Sequence, residues 1–167
     1  MGYWGYYVVG RSERPLGELG ALAAVRGELA LLERRSDGWQ VWECPSDGSV
    51  DVGNMNVLAE ETGAPALFGF VMNSDCVVVE AAAPRGGAWA TCLARDAMAK
   101  YLGADDLTVE DYFLEPGDAA ARALAWAAES GRTARSAALL DVLNADPEPS
   151  AEELFFRFLD RLGVLPQ

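Results

Sequence analysis

Residues 66–82 read Ala-Leu-Phe-Gly-Phe-Val-Met-Asn-Ser-Asp-Cys-Val-Val-Val-Glu-Ala-Ala. Two apolar runs, 66–72 and 76–82, flank the turn-forming Asn73-Ser74-Asp75, and the unbroken Val77-Val78-Val79 asks for burial on both sides of a strand. The stretch is expected to form a hairpin at the heart of a sheet.

Upstream, residues 3–9 set Trp4, Tyr6 and Val8 against Tyr3, Tyr7 and Val9, a strand with bulky apolar groups on both faces and therefore an interior one. Residues 28–35 and 39–44 flank Ser36-Asp37-Gly38 and read as a second hairpin. In its second arm Trp39, Val41 and Glu43 face one way, and Gln40, Trp42 and Cys44 the other. Between these strands lie a short helix over 16–25, weakened by Gly17 and Gly20, and another over 57–62, capped by Asn56 and stopped by Gly63 and Pro65.

Downstream, Pro84-Arg85-Gly86-Gly87 leads into what reads as a helix to about Leu102, with Trp89, Leu93 and Ala97 on one stripe. The rest is helical. Thr108 and Asp111 open one segment, which Pro116-Gly117 ends; an Ala-rich helix follows from Asp118 to Gly131, and another opens at Thr133. The last has a capping box at Ser150 and Glu153 and an apolar face of Leu154, Phe155, Phe158, Leu159 and Leu162. The expected fold is α+β: one domain over 1–167, with a sheet-rich portion, 1–103, and a helical portion, 104–167. Its antiparallel sheet has about five strands and packed helices, followed by a helical carboxyl-terminal cap.

A chain of 167 residues, 51% of them hydrophobic and 23% charged, has the profile of a globular protein. No apolar run approaches the roughly 20 residues of a membrane-spanning helix, and the amino-terminal residues lack the basic start and apolar stretch of a secretory signal. Tyr6 stands where myristoylation of Gly2 would want Ser or Thr. A cytoplasmic protein is the expectation. Twelve Arg against the single Lys100, with abundant Ala and Gly, is the mark that a GC-rich bacterial genome leaves on codon choice.

The net charge is 13 − 26 = −13, and residues 104–167 hold thirteen of the acids against five bases. Without a basic stripe to displace counterions, nucleic acid and anionic membranes are unsuitable partners, whereas a basic protein suits the acidic surface.

The composition also excludes chemistry. With no His at all, Ser-His-Asp and Cys-His catalysis and His-containing zinc sites are ruled out. Cys44, Cys76 and Cys92 are irregularly spaced and read as small core residues without a disulfide. Gly17-Glu18-Leu19-Gly20 lacks the Lys and Ser/Thr of a phosphate loop, and Arg85-Gly86-Gly87 is a turn or at most a generic anion site. Glu43, Asp47 and Asp51 could in principle meet a hard cation but have no fixed geometry, so neither metal nor cofactor is expected.

Some residues remain as candidates for contact with a partner or ligand. Glu80 interrupts a valine run, where burial would raise its pKa, or else it sits at a strand end open to water. Arg85 offers a cation beside a turn. Trp4, Tyr6 and Trp42 belong to an aromatic set larger than a small core needs, although core packing also accounts for such side chains. Phe156 falls at the edge of the last helix's apolar stripe and is a candidate exposed anchor. The reading favoured by these residues is a non-catalytic protein-interaction module of the adaptor, regulator or immunity type. The alternative is a small enzyme or ligand-binding protein with a pocket between sheet and helical cap. Sequence alone leaves the oligomeric state open.

Overall fold

Alternation on both faces of the middle strands produces an antiparallel sheet packed on both sides, an α+β fold. The computed structural model describes residues 2–165. Its strands are β1 (Gly5–Arg11), β2 (Ala30–Arg34), β3 (Trp39–Pro45), β4 (Ala66–Met72), β5 (Cys76–Ala83) and β6 (Gly87–Leu93). They lie in the order β2-β3-β1-β4-β5-β6, every neighbouring pair antiparallel. The hairpin β4–β5 pairs Phe70 with Val78 and Phe68 with Glu80, and β1 sits between β3 and β4.

Two different layers cover the sheet. Tyr7, Val9, Trp39, Val41, Leu67, Val71, Val77 and Val79 share one core cluster with residues of the carboxyl-terminal helices. The carboxyl-terminal helices are α2 (Arg95–Gly103), α3 (Val109–Tyr112), α4 (Pro116–Glu129), α5 (Ser136–Leu143) and α6 (Ala151–Leu162), of which α2 reaches the other face of the sheet, where its Tyr101 meets Trp4. Trp126 of α4 donates its indole N–H to the carbonyls of both Ala66 and Ala82 at 3.1 Å, pinning the helix across β4 and β5. Its ring lies 5.8 Å from that of Trp39.

The opposite face carries Tyr6, Val8, Cys44, Ala66, Phe68 and Ala82. Its cover is thinner: 3-10 helical segments at Leu16–Glu18 and Gly20–Glu28, and the eight-residue α1 (Met55–Thr62). Gln40, 1% exposed, ties this layer down. Its Oε1 accepts from the Leu16 N–H at 2.9 Å and the Trp42 indole at 2.8 Å, while its Nε2 donates to the carbonyls of Ser12 and Arg14 at 3.0 and 2.9 Å. Both ends of the buried amide are thus satisfied.

The expectation of about five strands needs correction to six. Residues 87–93 form β6 and the helix begins only at Arg95. The four-residue spacing of Trp89 and Leu93 suits a helix, but Trp89, Thr91 and Leu93 also share one face of a strand, and β5 needed a partner for its outer backbone groups. The segment over 16–25 is 3-10 rather than α, in keeping with its glycines. Asn54, not Asn56, caps α1, accepting from the Asn56 N–H. Pro116 starts α4 instead of ending the segment before it, since the first helical position needs no N–H donor.

The two sheet edges are finished differently. At β6, Leu114 donates its N–H to Ala90 O at 3.0 Å, and Arg122 donates to the carbonyls of Gly86 and Ala88 at 3.1 Å. Among the described residues β2 pairs with β3 alone, and Leu31 and Leu32 on it are 47% and 48% exposed. It is five residues long, is bulged between Leu31 and Glu33 and carries Glu33 and Arg34, all of which discourage further strand pairing.

The packing of α6 against β4 leaves no spare volume. A Cβ on Gly69 would lie 2.5 Å from Phe155 Cε1, so Gly69→Ala is expected to cost about 1–3 kcal/mol in urea denaturation. Phe158 is 0% exposed, and its truncation to Ala should cost about 3–5 kcal/mol. Phe156, half-buried with its ring 5.0 Å from Tyr7, should cost about 1 kcal/mol.

Candidate functional site

The thin layer does not reach the whole of its face. Toward β5 and β6 it leaves a strip of sheet only partly covered, in which Trp4, Phe70, Val78 and Ala90 are half-buried and Glu80 and Ala88 exposed. The strip follows from register: Tyr6 pairs with Phe70, Phe70 with Val78, and Glu80 lies between Phe68 and Ala90.

Aromatic rings build one end of it. Phe70 lies 4.5 Å from Tyr6 and 6.2 Å from Trp4, and Trp4 meets Tyr101 of α2 edge-on at 6.4 Å. Tyr101 is held by donating its hydroxyl to Asp75 at 3.1 Å. Residues 46–54 form the rim. Ser46 donates its N–H to Trp4 O at 3.2 Å, and the Ser46 hydroxyl donates to Val50 O at 3.1 Å. Asp47 accepts from Ser49 N–H at 3.0 Å and Asp51 from Gly53 N–H at 2.8 Å. These bonds let a loop rich in Asp, Gly and Ser keep one shape beside the rings.

Glu80 occupies the other end, in a shallow groove of about 220 Å³ lined by Asn54, Met55, Ala81, Ala88, Trp89 and Ala90. Among the described residues it makes no hydrogen bond or ion pair. Partial burial against apolar neighbours raises its pKa from the ordinary carboxylate value, and the charge of Asp51 adds to the effect. Burial likewise raises the Tyr6 phenol, with smaller contributions from Asp51 and Glu80. The strip is therefore apolar, aromatic and negative.

Three of the six sequence candidates, Trp4, Tyr6 and Glu80, come together here. Trp42 shares the face but packs on Gly17 and hydrogen-bonds Gln40, serving the 3-10 layer. Phe156 lies on the opposite side of the sheet, against Tyr7 and Phe155. Arg85 is exposed at the β5–β6 turn. The Arg85 and Gly86 N–H groups, a possible anion cradle, both donate to the Glu129 carboxylate at 2.8 Å. The chain fills a second such cradle itself: Gly20 and Ala21 donate to Glu61 at 3.0 and 2.8 Å.

Phe70, Val78, Tyr101 and Asp51 complete the strip and were not among the sequence candidates. Phe70 and Val78 could have been found by folding the hairpin about Asn73-Ser74-Asp75 and counting pairs outward. Tyr101 arrives from a helix whose start was misplaced by the missed strand, and Asp51 stood out in the sequence only as a hard-cation ligand beside Glu43 and Asp47, not as a neighbour of Glu80.

The remaining titratable groups offer little chemistry. All three cysteines are buried and free, and burial pushes the Cys76 thiol up to about 12 and that of Cys92 up to about 11. Glu43 points to the opposite face from Asp47 and Asp51, where burial first, then Glu43 and Glu152, push Tyr7 up to about 12. No group of three or more His, Cys, Asp or Glu suited to a metal ion occurs among the described residues. None of the described helices is long and apolar enough to cross a membrane. No family model, curated protein or solved structure matches the chain.

The raised pKa of Glu80 has a sign that can be measured. A carboxyl that binds its proton more tightly in the folded state loses stability as pH rises through its folded value. Glu80→Gln removes that loss. The variant should gain on the wild type as pH increases from about 4.5, the ordinary value, toward neutrality, after which the difference should stay constant. Parallel urea-denaturation midpoints across this range would show that Glu80 is not perturbed.

Proposed function

We propose that the protein is a non-catalytic interaction module that binds a basic segment of another protein on the open strip of its sheet. One observation carries the reading: among the described residues Glu80 has no hydrogen-bond or ion-pair partner, and it shares a sheet face with the half-buried rings of Trp4 and Phe70. A lysine or arginine side chain would satisfy both parts of such a surface, through its charge at Glu80 and Asp51 and through its stem and cationic head against Phe70 and Trp4. The net charge of −13 adds long-range attraction for a basic partner. An adaptor, regulator or immunity-type role would use such a face, and a cytoplasmic setting accords with three free, buried cysteines.

The alternative, a small enzyme or ligand-binding protein, would need room between the sheet and the carboxyl-terminal helices. That space is filled by Trp39, Trp126, Phe155, Phe158 and Leu67, each under 2% exposed. The interaction reading is therefore preferred.

The test compares proteins retained from native cells by the wild type and by Glu80→Arg, with quantitative mass spectrometry and a thermal melt to check folding. A specific partner should be retained by the wild type and lost by Glu80→Arg, and Trp4→Ala should weaken its binding about tenfold or more. Equal retention by all three folded proteins would rule the strip out.

A further inference from the structure

At the opposite end of the sheet from Trp4, the chain end of β1, the β2–β3 turn and the last residues of α1 enclose a groove of about 680 Å³. Its lining includes Arg11, Arg34 and Arg35, together with Ser12, Ser36 and Thr62. Strand pairing brings these arginines to one end of the sheet from distant positions: Arg11 lies opposite Trp39 and Arg34 opposite Gln40, so the two leave the sheet on different faces and line the groove from either side of its end.

How the guanidiniums are held matters more than their number. Arg11 donates Nε–H to the carbonyl oxygen of Asp37 at 3.1 Å, and Arg34 donates to the carbonyl oxygen of Glu13. A main-chain carbonyl orients a guanidinium without cancelling its charge, and among the described residues each of these arginines keeps further N–H donors free. Among the described residues, the Arg35 side chain pairs with Glu33 alone, at 3.4 Å. The Asp37 carboxylate is taken by Arg132 from the helical layer.

Four guanidiniums, of Arg11, Arg34, Arg35 and Arg132, thus stand against the carboxylates of Glu13, Glu33 and Asp37, a local excess of positive charge in a chain of net charge −13. The carboxyl end of α1 brings partial negative charge to one wall, offset in part because two of its carbonyls are already bonded. Its Leu58 and Ala59 carbonyls accept from the Thr62 hydroxyl at 2.9 Å and the Gly63 N–H at 2.8 Å.

We propose that this groove binds a phosphate monoester of small-molecule size, its phosphoryl oxygens taken by Arg11, Arg34 and Arg35. Planar guanidinium forks match phosphoryl oxygens in pairs, and the volume exceeds what a bare ion needs, leaving room for an organic group. A polyanion such as nucleic acid would run from the groove onto acidic surface, whereas a single phosphoryl group would not. The site is separate from the strip around Glu80 and does not depend on it.

The test follows backbone amide signals by NMR during titration with adenosine monophosphate, inorganic phosphate and acetate, each matched for ionic strength. Saturable shifts are expected for residues 11–13, 34–38 and 62–64, with adenosine monophosphate binding more tightly than phosphate and acetate not saturating. Arg11→Gln and Arg34→Gln should each weaken binding about tenfold. Glu80→Arg should leave it unchanged. Shifts that grow linearly for all three anions, that match in the arginine variants, or that fall on other residues would overturn the proposal.

Discussion

Val8 and Val9 are neighbours in β1 with 0% and 1% exposure, one in each of the two core clusters. A strand that must be dry on both sides imposes the rest of the architecture, since its sheet needs two covering layers and its backbone needs a strand on each flank. The chain meets this demand unevenly. Its carboxyl-terminal helices pack a continuous interior around Trp126, Phe155 and Phe158, while the residues left between strands form short 3-10 turns and one short helix. The partial cover over β5 and β6 is the direct result of that imbalance, and it leaves Phe70, Val78 and Glu80 within reach of solvent.

Where the pattern in the chain had a single physical solution, it could be read directly. The β4–β5 hairpin, the both-sided β1, the split faces of β3 and the capped α6 all follow from period, turn residues and caps. β6 did not, because alanine and four-residue spacing suit a helix as well, and the deciding need, the unpaired outer edge of β5, exists only once the sheet does. The same limit applies to the strip around Glu80. Its aromatic members could be listed from composition, but which of them lie together depends on register across three strands, and the role of Asp51 depends on the path of a loop. Trp42 illustrates the converse: it looks like a contact residue until Gly17 and Gln40 are placed beside it.

Charge is arranged with similar economy. Two turns whose exposed N–H groups could have held an external anion are closed by Glu61 and Glu129 of the same chain, each carboxylate bridging consecutive amides. Glycine-rich turns are therefore poor guides to ligand sites in this protein, because the ligand is already built in. Glu80 on β5 and the guanidiniums around the β2–β3 turn lie apart across the strand order of the sheet.

Gln40 has a consequence for how such a protein can diverge. Its amide meets two donors on one side and two carbonyls on the other, at a fixed distance from the β3 backbone. Glutamate would turn an oxygen toward the carbonyls of Ser12 and Arg14, asparagine would fall a methylene short, and an apolar residue would strand the Leu16 amide and the Trp42 indole together. Codon drift that freely exchanges Ala, Gly and Arg over the surface should thus halt at this position, making it a fixed point by which distant descendants of the chain could be aligned.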